Sequence, residues 1–152
     1  MACHVKDNNN INTAIELLTE NGLDGLGDAV SILINHAMEV QRREHLNASP
    51  YERTEERNGY ANGFKPKVIK SRIGELNLKV PQVRDSSFYP SAIERGMRSE
   101  RALKLAVAEM YVQGVATRRV KAITEELCGF EVSSSDVSRA AKLLDEELKL
   151  WR

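Results

Sequence analysis

Residues 125–148, EELCGFEVSSSDVSRAAKLLDEEL, leave the backbone few options. Gly129 falls where a helix running through TRRVKAITEELC needs a left-handed residue to end. Ser133 and Asp136 then form the S-x-x-D arrangement of a capping box, so a new helix starts near Ser134. At about 100° per residue, with Val137 at zero, Ala140, Ala141, Leu144, Leu148 and Trp151 fall within about 60° and make one apolar face. Ser135, Arg139 and Lys142 fall on the opposite side. That side begins with serines at the positive end of the helix dipole, where a phosphate is favoured. It becomes acidic at Asp145, Glu146 and Glu147.

Two further helices precede this one. Leu103, Ala106, Val107 and Met110 share a face after a candidate cap at Ser99, and Gly114 ends the run. Thr117 is a candidate cap for the next helix, with Val120, Ile123 and Leu127 inward. The result is a small bundle of three helices with a helix-turn-helix-like second half. A helix that enters the DNA major groove N-terminus first needs small hydrogen-bonding residues and one or two long cations in its leading turns, with acids only where it has left the phosphates. Residues 117–144 have that layout. The pattern alone is weak, because a basic residue opposite a core is more often an ordinary solvated one. The connection from Leu127 to Val137 is also longer than the three- or four-residue turn of the standard motif.

The first third is helical by pattern: Ile11, Ile15 and Leu18 form a short apolar stripe, and Val30, Leu33, Ile34, Ala37, Met38 and Val40 form a longer one on a helix over 28–46. Such a helix buries its stripe against its own domain or against a second copy. From Asn47 to Pro66 the composition is that of a loop. Beyond it Leu76, Leu78 and Val80 alternate with polar residues up to Pro81, and Ile69, Ser71 and Ile73 alternate more weakly, so a β-hairpin reversing at Ile73-Gly74 is expected. The fold class is therefore mostly α with a small β-hairpin, divided as 1–50, a helical segment able to self-associate, 51–97, loop and basic hairpin, and 98–152, the bundle.

Net charge is zero over 152 residues, which gives no general affinity for nucleic acid. The distribution matters more. Residues 57–84 hold seven basic side chains and one acidic, and residues 1–56 hold four and ten. A basic island of this kind suits a local binding surface, although lysines on a hairpin also protect an edge strand from aggregation.

Other chemistries find little support. Cys3 and Cys128 are far apart, and His4, His36 and His45 have no ligand spacing, so neither a disulfide framework nor a metal site is expected. The acids at 54–56 and 145–147 lie on charged segments without an apolar pocket, where solvated faces are the simpler reading. No segment approaches the roughly 20 apolar residues of a membrane span, and the N-terminus has no leader pattern. A soluble, cytoplasmic, nucleoid-associated protein is expected.

Taken in order, RREHLNASPYERTEERNGYANGF, GELNLKVPQVRDSSFYPS, RSERALKLAVAEMYVQGVATRRVKAITEELCG and VSSSDVSRAAKLLDEELKLWR resemble the N-terminal part of the Mutator-type transposases of bacterial insertion sequences. The resemblance runs from about residue 28 to the end, strongest at RNGY (57–60), Val80-Pro81 and GVATRRV (114–120). It implies a region that recognises the terminal inverted repeats of a mobile element as double-stranded DNA. It also implies a following RNase-H-like domain whose three acidic residues hold divalent metal. With that domain absent and no stop signal on the last helix, the chain reads as a fragment without its own catalysis or cofactor, and Mg2+ is expected only in the missing domain. Ser135, Ser138 and Arg139 are the candidates for base edges. Lys142, Arg118, Arg119 and Lys121 are candidates for phosphates, with Lys65, Lys67, Lys70 and Arg72 as a second phosphate contact. The alternatives are a truncated regulator that acts through dimerisation and, less favoured, a chain that catalyses transposition itself.

Overall fold

The computed structural model describes residues 2–84 and 87–150, with the side chains of 2–7, 147, 148 and 150 excepted. Trp151, and the side chains of Leu148, Glu147, Cys3 and His4, lie outside what is described. The element order is helix α1 (Ala2–Asn21), a 3-10 turn (Gly22–Gly25), α2 (Leu26–Leu46), strands β1 (Tyr60–Ser71) and β2 (Gly74–Arg84), then α3 (Arg101–Val112), α4 (Thr117–Cys128) and α5 (Ser134–Leu150). The strands form a two-stranded antiparallel sheet. The chain separates into two compact units: Met1–Val68 with Leu76–Met97, and Ile69–Glu75 with Arg98–Arg152. The tip of the hairpin thus belongs to the C-terminal unit and its stem to the N-terminal unit.

In the N-terminal unit α1 packs on α2 through a close crossing. A Cβ at Gly25 would stand 2.7 Å from the carbonyl oxygen of Leu17, so the approach of the 3-10 turn to α1 needs glycine. The predicted stripes are buried only in part. Ala14 is buried, but Ile11, Ile15 and Leu18 are exposed, and on α2 Met38 is buried while Leu33 and Ala37 are not. α2 meets β2 as well as α1. Asn35 reaches β2, accepting from the amide of Lys79 at 2.8 Å and donating to the carbonyl of Asn77 at 3.5 Å.

That contact also explains two corrections to the hairpin. Pro81 does not stop β2, which continues to Arg84, and β1 starts at Tyr60 inside the segment read as loop. The amide of Lys79 points away from β1, toward Asn35. Pro81 has the same strand parity, so its missing N–H removes no ladder bond. At the tip, Ser71 Oγ donates to Gly74 O at 2.8 Å and Gly74 has φ +113°, as the predicted reversal requires.

The C-terminal unit is built around Leu103, Val107, Ala108, Val120, Phe130, Val132, Val137 and Ala140. Its helix starts correct two expectations. Residues 98–100 run extended beside β1: Lys70 N donates to Arg98 O at 2.9 Å and Glu100 N to Lys70 O at 2.7 Å. Ser99 is therefore held in a bridge, and Glu100 takes the N-cap position without a side-chain cap bond. Thr117 is likewise the first residue of α4 and not its cap; Ala116 is the cap, its carbonyl accepting from Arg119 and Val120.

The inward faces shift too. On α4 they are Val120, Thr124 and Cys128, while Leu127 is 74% exposed. Thr124 can be buried because its hydroxyl donates to the carbonyl of Lys121. On α3, Ala108 is buried and Ala106 is exposed.

At α5 the reading from sequence holds. The helix starts at Ser134, and Ser133 Oγ accepts from the amide of Asp136 at 3.1 Å. Ser133→Ala is expected to destabilise the C-terminal unit by about 0.5–2 kcal/mol. Urea denaturation would measure this, and an unchanged midpoint would count against the cap.

Candidate nucleic-acid interface

The connection from α4 to α5 is residues 129–133, five residues long, and its composition explains that length. Gly129 closes α4 in the left-handed region (φ +74°), its amide bonded to Glu125 O. Phe130 and Val132 then turn into the core, and Glu131 between them turns out. A turn that supplies two core side chains needs more residues than one that only reverses direction. α3 packs against both α4 and α5, so the three helices form one bundle.

On α5, Val137 and Ala140 are buried and Ala141 and Leu144 are half-buried against the core. Ser135, Ser138, Arg139 and Lys142 are all exposed. Helical periodicity puts these four within about 100° of one another, so they form a single outward stripe along the first turns. The serine hydroxyls are organised locally: Ser133 and Ser135 share a bond at 2.9 Å, and Ser138 donates to the carbonyl of Ser134. Arg139 lies 3.6 Å from Asp136, a loose pair between exposed groups. Asp145 and Glu146 are exposed further along the helix.

Of the remaining candidates in this unit, Arg118 and Arg119 are exposed in the first turn of α4. Lys121 forms an ion pair with Glu131 at the connection. Lys70 comes to the same place from the hairpin tip: its ammonium lies 5.2 Å from the centre of the Phe130 ring and 3.4 Å from the carbonyl oxygen of Glu131. Arg72 is bound to the start of α3, where Glu100 accepts from its guanidinium at 3.1 Å and from its backbone amide at 3.0 Å. The connection between α4 and α5 therefore brings Lys70 and Lys121 together, while Arg72 is directed to Glu100.

Lys65 and Lys67 belong to the N-terminal unit. Lys65 is exposed. Lys67 is half-buried, donating to the Tyr89 hydroxyl at 3.0 Å and lying over its ring.

Glu131, Glu100 and Phe130 were not singled out in the sequence. Each is a partner brought in from a distant position, and neither spacing nor periodicity marks such a partner in advance. Burial pushes the Cys128 thiol up, with the charge of Glu100 adding to the effect. Among the described residues, no group of three or more His, Cys, Asp or Glu is placed to hold a metal ion, and no helix is long and apolar enough to cross a membrane.

The sequence model of a family described as transposase, Mutator family, matches residues 3–152. The chain is 55% identical over 148 residues to the transposase for insertion sequence element IS406 of Burkholderia multivorans, covering 96% of this chain and 38% of that protein. It is 44% identical over 123 residues to the transposase for IS256 in transposon Tn4001 of Staphylococcus aureus (81% and 32%). With the transposase for IS1081 of Mycobacterium tuberculosis it shares 33% over 130 residues (85% and 31%). The chain thus spans between 31% and 38% of the length of these relatives.

Proposed function

The chain belongs to the Mutator family of transposases, and from that premise we propose that its C-terminal unit is a DNA-binding module that recognises the terminal inverted repeats of an insertion sequence. The observation that carries this reading is the stripe Ser135, Ser138, Arg139 and Lys142, exposed along the leading turns of a helix whose opposite face is core. Ser135, Ser138 and Arg139 contact base edges; Lys142, Arg118, Arg119 and Lys121 contact phosphates. Lys70 and Arg72 provide a further backbone contact in the same unit, and Lys65 and Lys67 provide one from the N-terminal unit, each of the kind that positions the protein without reading sequence. We assign no residue of this chain to strand cleavage, strand joining or Mg2+, and read the chain as a DNA-binding module at work in the bacterial cytoplasm.

The test is a titration of the full chain with a labelled element-end duplex and with a shuffled duplex, each at two salt concentrations. The reading predicts tighter binding to the element end at both. Equal affinity for the two duplexes would overturn it.

Glu131 allows a second check. Its carboxylate neutralises Lys121 beside the leading turn of α5. Glu131→Gln is expected to raise affinity for both duplexes together and to steepen the dependence of log affinity on log salt by about one. Unchanged affinity and slope would remove Lys121 from the phosphate contacts.

A second reading rests on the N-terminal unit. Ile11, Ile15 and Leu18 recur at helical spacing on α1 and are exposed, as is Leu33 on α2. A homodimer through this surface would let the chain regulate or inhibit a longer transposase as a mixed dimer. Light scattering of the full chain decides this, since a monomer at high concentration is incompatible with it.

A further inference from the structure

The first strand of the hairpin carries two aromatic side chains to which the duplex reading gives no part. Tyr60 and Phe64 both stand on the first half of β1, with Gly63 between them at φ +70°. Both are exposed, Tyr60 at 65% and Phe64 at 45%. Each ring is backed by a guanidinium. The Arg57 carbon Cζ lies 5.1 Å from the centre of the Tyr60 ring, and Arg42 Cζ lies 4.6 Å from that of Phe64.

Neither guanidinium is loose. Arg57 donates from Nε to Gly59 O at 2.9 Å and from a terminal nitrogen to Glu52 O at 2.7 Å. Arg42 donates to Gly63 O at 3.1 Å and is partly desolvated, which holds its pKa below the usual arginine value, against the opposing charge of Glu39. Two aromatic rings are therefore fixed in place by cations that are themselves fixed by backbone carbonyls.

An exposed aromatic surface can meet protein, lipid or nucleic acid, and the local charge chooses among them. From Arg57 to Val68 the chain contains Arg57, Lys65 and Lys67 and no acidic residue. Of the acids just before it, Glu52 accepts from the Ser49 amide and Glu56 from the Asn47 side chain. Positive charge beside stacking rings suits a phosphate strand whose bases are unpaired, because each base then offers a flat face to a ring. A duplex does not, since its bases already stack on one another. At about 3.3 Å per residue the two positions are at most roughly 13 Å apart along the chain, a separation that extended single-stranded nucleic acid can span within a few nucleotides.

We propose that Tyr60 and Phe64, backed by Arg57 and Arg42 and flanked by Lys65, form a stacking site for single-stranded DNA. The site is separate from the stripe on α5 and does not depend on that stripe reading an inverted repeat. In a transposase, DNA of this kind is what a melted or cleaved element end presents.

The test uses the full chain and a fluorescent oligothymidylate of about 12 nucleotides, inside the roughly 4–16 nucleotides that comparable modules cover. The parent is expected to bind it with marked salt dependence. Tyr60→Leu and Phe64→Leu keep apolar bulk and remove the ring, and each is expected to weaken binding about tenfold or more. Tyr60→Phe and Phe64→Tyr keep the ring and are expected to bind within about twofold of the parent.

Circular dichroism of each variant reports folding, and the conservative pair carries the test if a leucine variant is unfolded. The proposal is overturned if the parent does not bind the oligonucleotide, if the leucine variants bind as the parent does, or if the ring-preserving variants lose as much as the leucine variants. It is also overturned if the leucine variants change only the oligomeric state, which would make the surface a protein interface. The ratio of affinities for element-end and shuffled duplex is a separate measurement, so a failure of inverted-repeat recognition shows there and leaves this result standing.

Discussion

Phe130→Ala is expected to destabilise the C-terminal unit by about 3–5 kcal/mol, the range for removing a buried aromatic ring. The ring lies in the connection between α4 and α5 and is packed into the cluster shared by Leu103, Val107, Val120 and Val137. The ring also meets the ammonium of Lys70, so one substitution opens a cavity and also removes one of the contacts that hold the hairpin tip. A unit of this size has a total stability of only several kcal/mol, so the loss takes most of it. Hydrogen exchange resolved by residue is the right measurement, because it reads α3, α4 and α5 separately from α1 and α2. Protection should collapse across all three C-terminal helices together. A loss confined to residues 129–133 would mean that the ring orders the turn locally and does not hold the bundle.

Phe130 also shows where legibility in the sequence stops. Gly129 and the Ser133–Asp136 box located the end of α4 and the start of α5 because caps are local: a left-handed residue and a hydroxyl act on amides within a few positions. The apolar face of α5 was readable for a similar reason, since it has a single core to face. The stripe on α4 was misplaced by part of a turn. Val120, Ile123 and Leu127 are the more apolar choice, yet Thr124 is buried and Leu127 is exposed. Periodicity ranks side chains by hydrophobicity, whereas burial follows where α3 and the connection lie, and threonine tolerates burial once its hydroxyl bonds to Lys121 O.

The ends of the hairpin failed for a related reason. Pro81 is a strand breaker only where its N–H is wanted, and the sheet has just two strands. Ser99 and Thr117 were plausible caps by composition, but extended backbone beside Lys70 moved the entry of α3 to Glu100, and Ala116 took the cap of α4. At the candidate interface the exposed stripe on α5 could be read from the sequence. The neutralising partners Glu131 and Glu100 could not, because a salt bridge across the fold has no signature along the chain.

Arg139→Ala is expected to reduce discrimination between the element-end and shuffled duplexes by about 1–3 kcal/mol. The side chain stands on the exposed stripe just after Ser138, with its guanidinium 3.6 Å from Asp136. A loose pair between exposed groups costs little to break, so the fork can turn from Asp136 to the two acceptors of a guanine edge. Arg139→Lys separates geometry from charge. Lysine keeps the positive charge and loses the planar fork, so it should preserve the salt dependence while recovering little of the discrimination. Titration of both variants on both duplexes decides the role of this residue. If lysine restores full discrimination, Arg139 acts as a point charge on the backbone and the base contact must come from Ser135 or Ser138. If alanine weakens both duplexes equally, the stripe on α5 holds DNA without reading it.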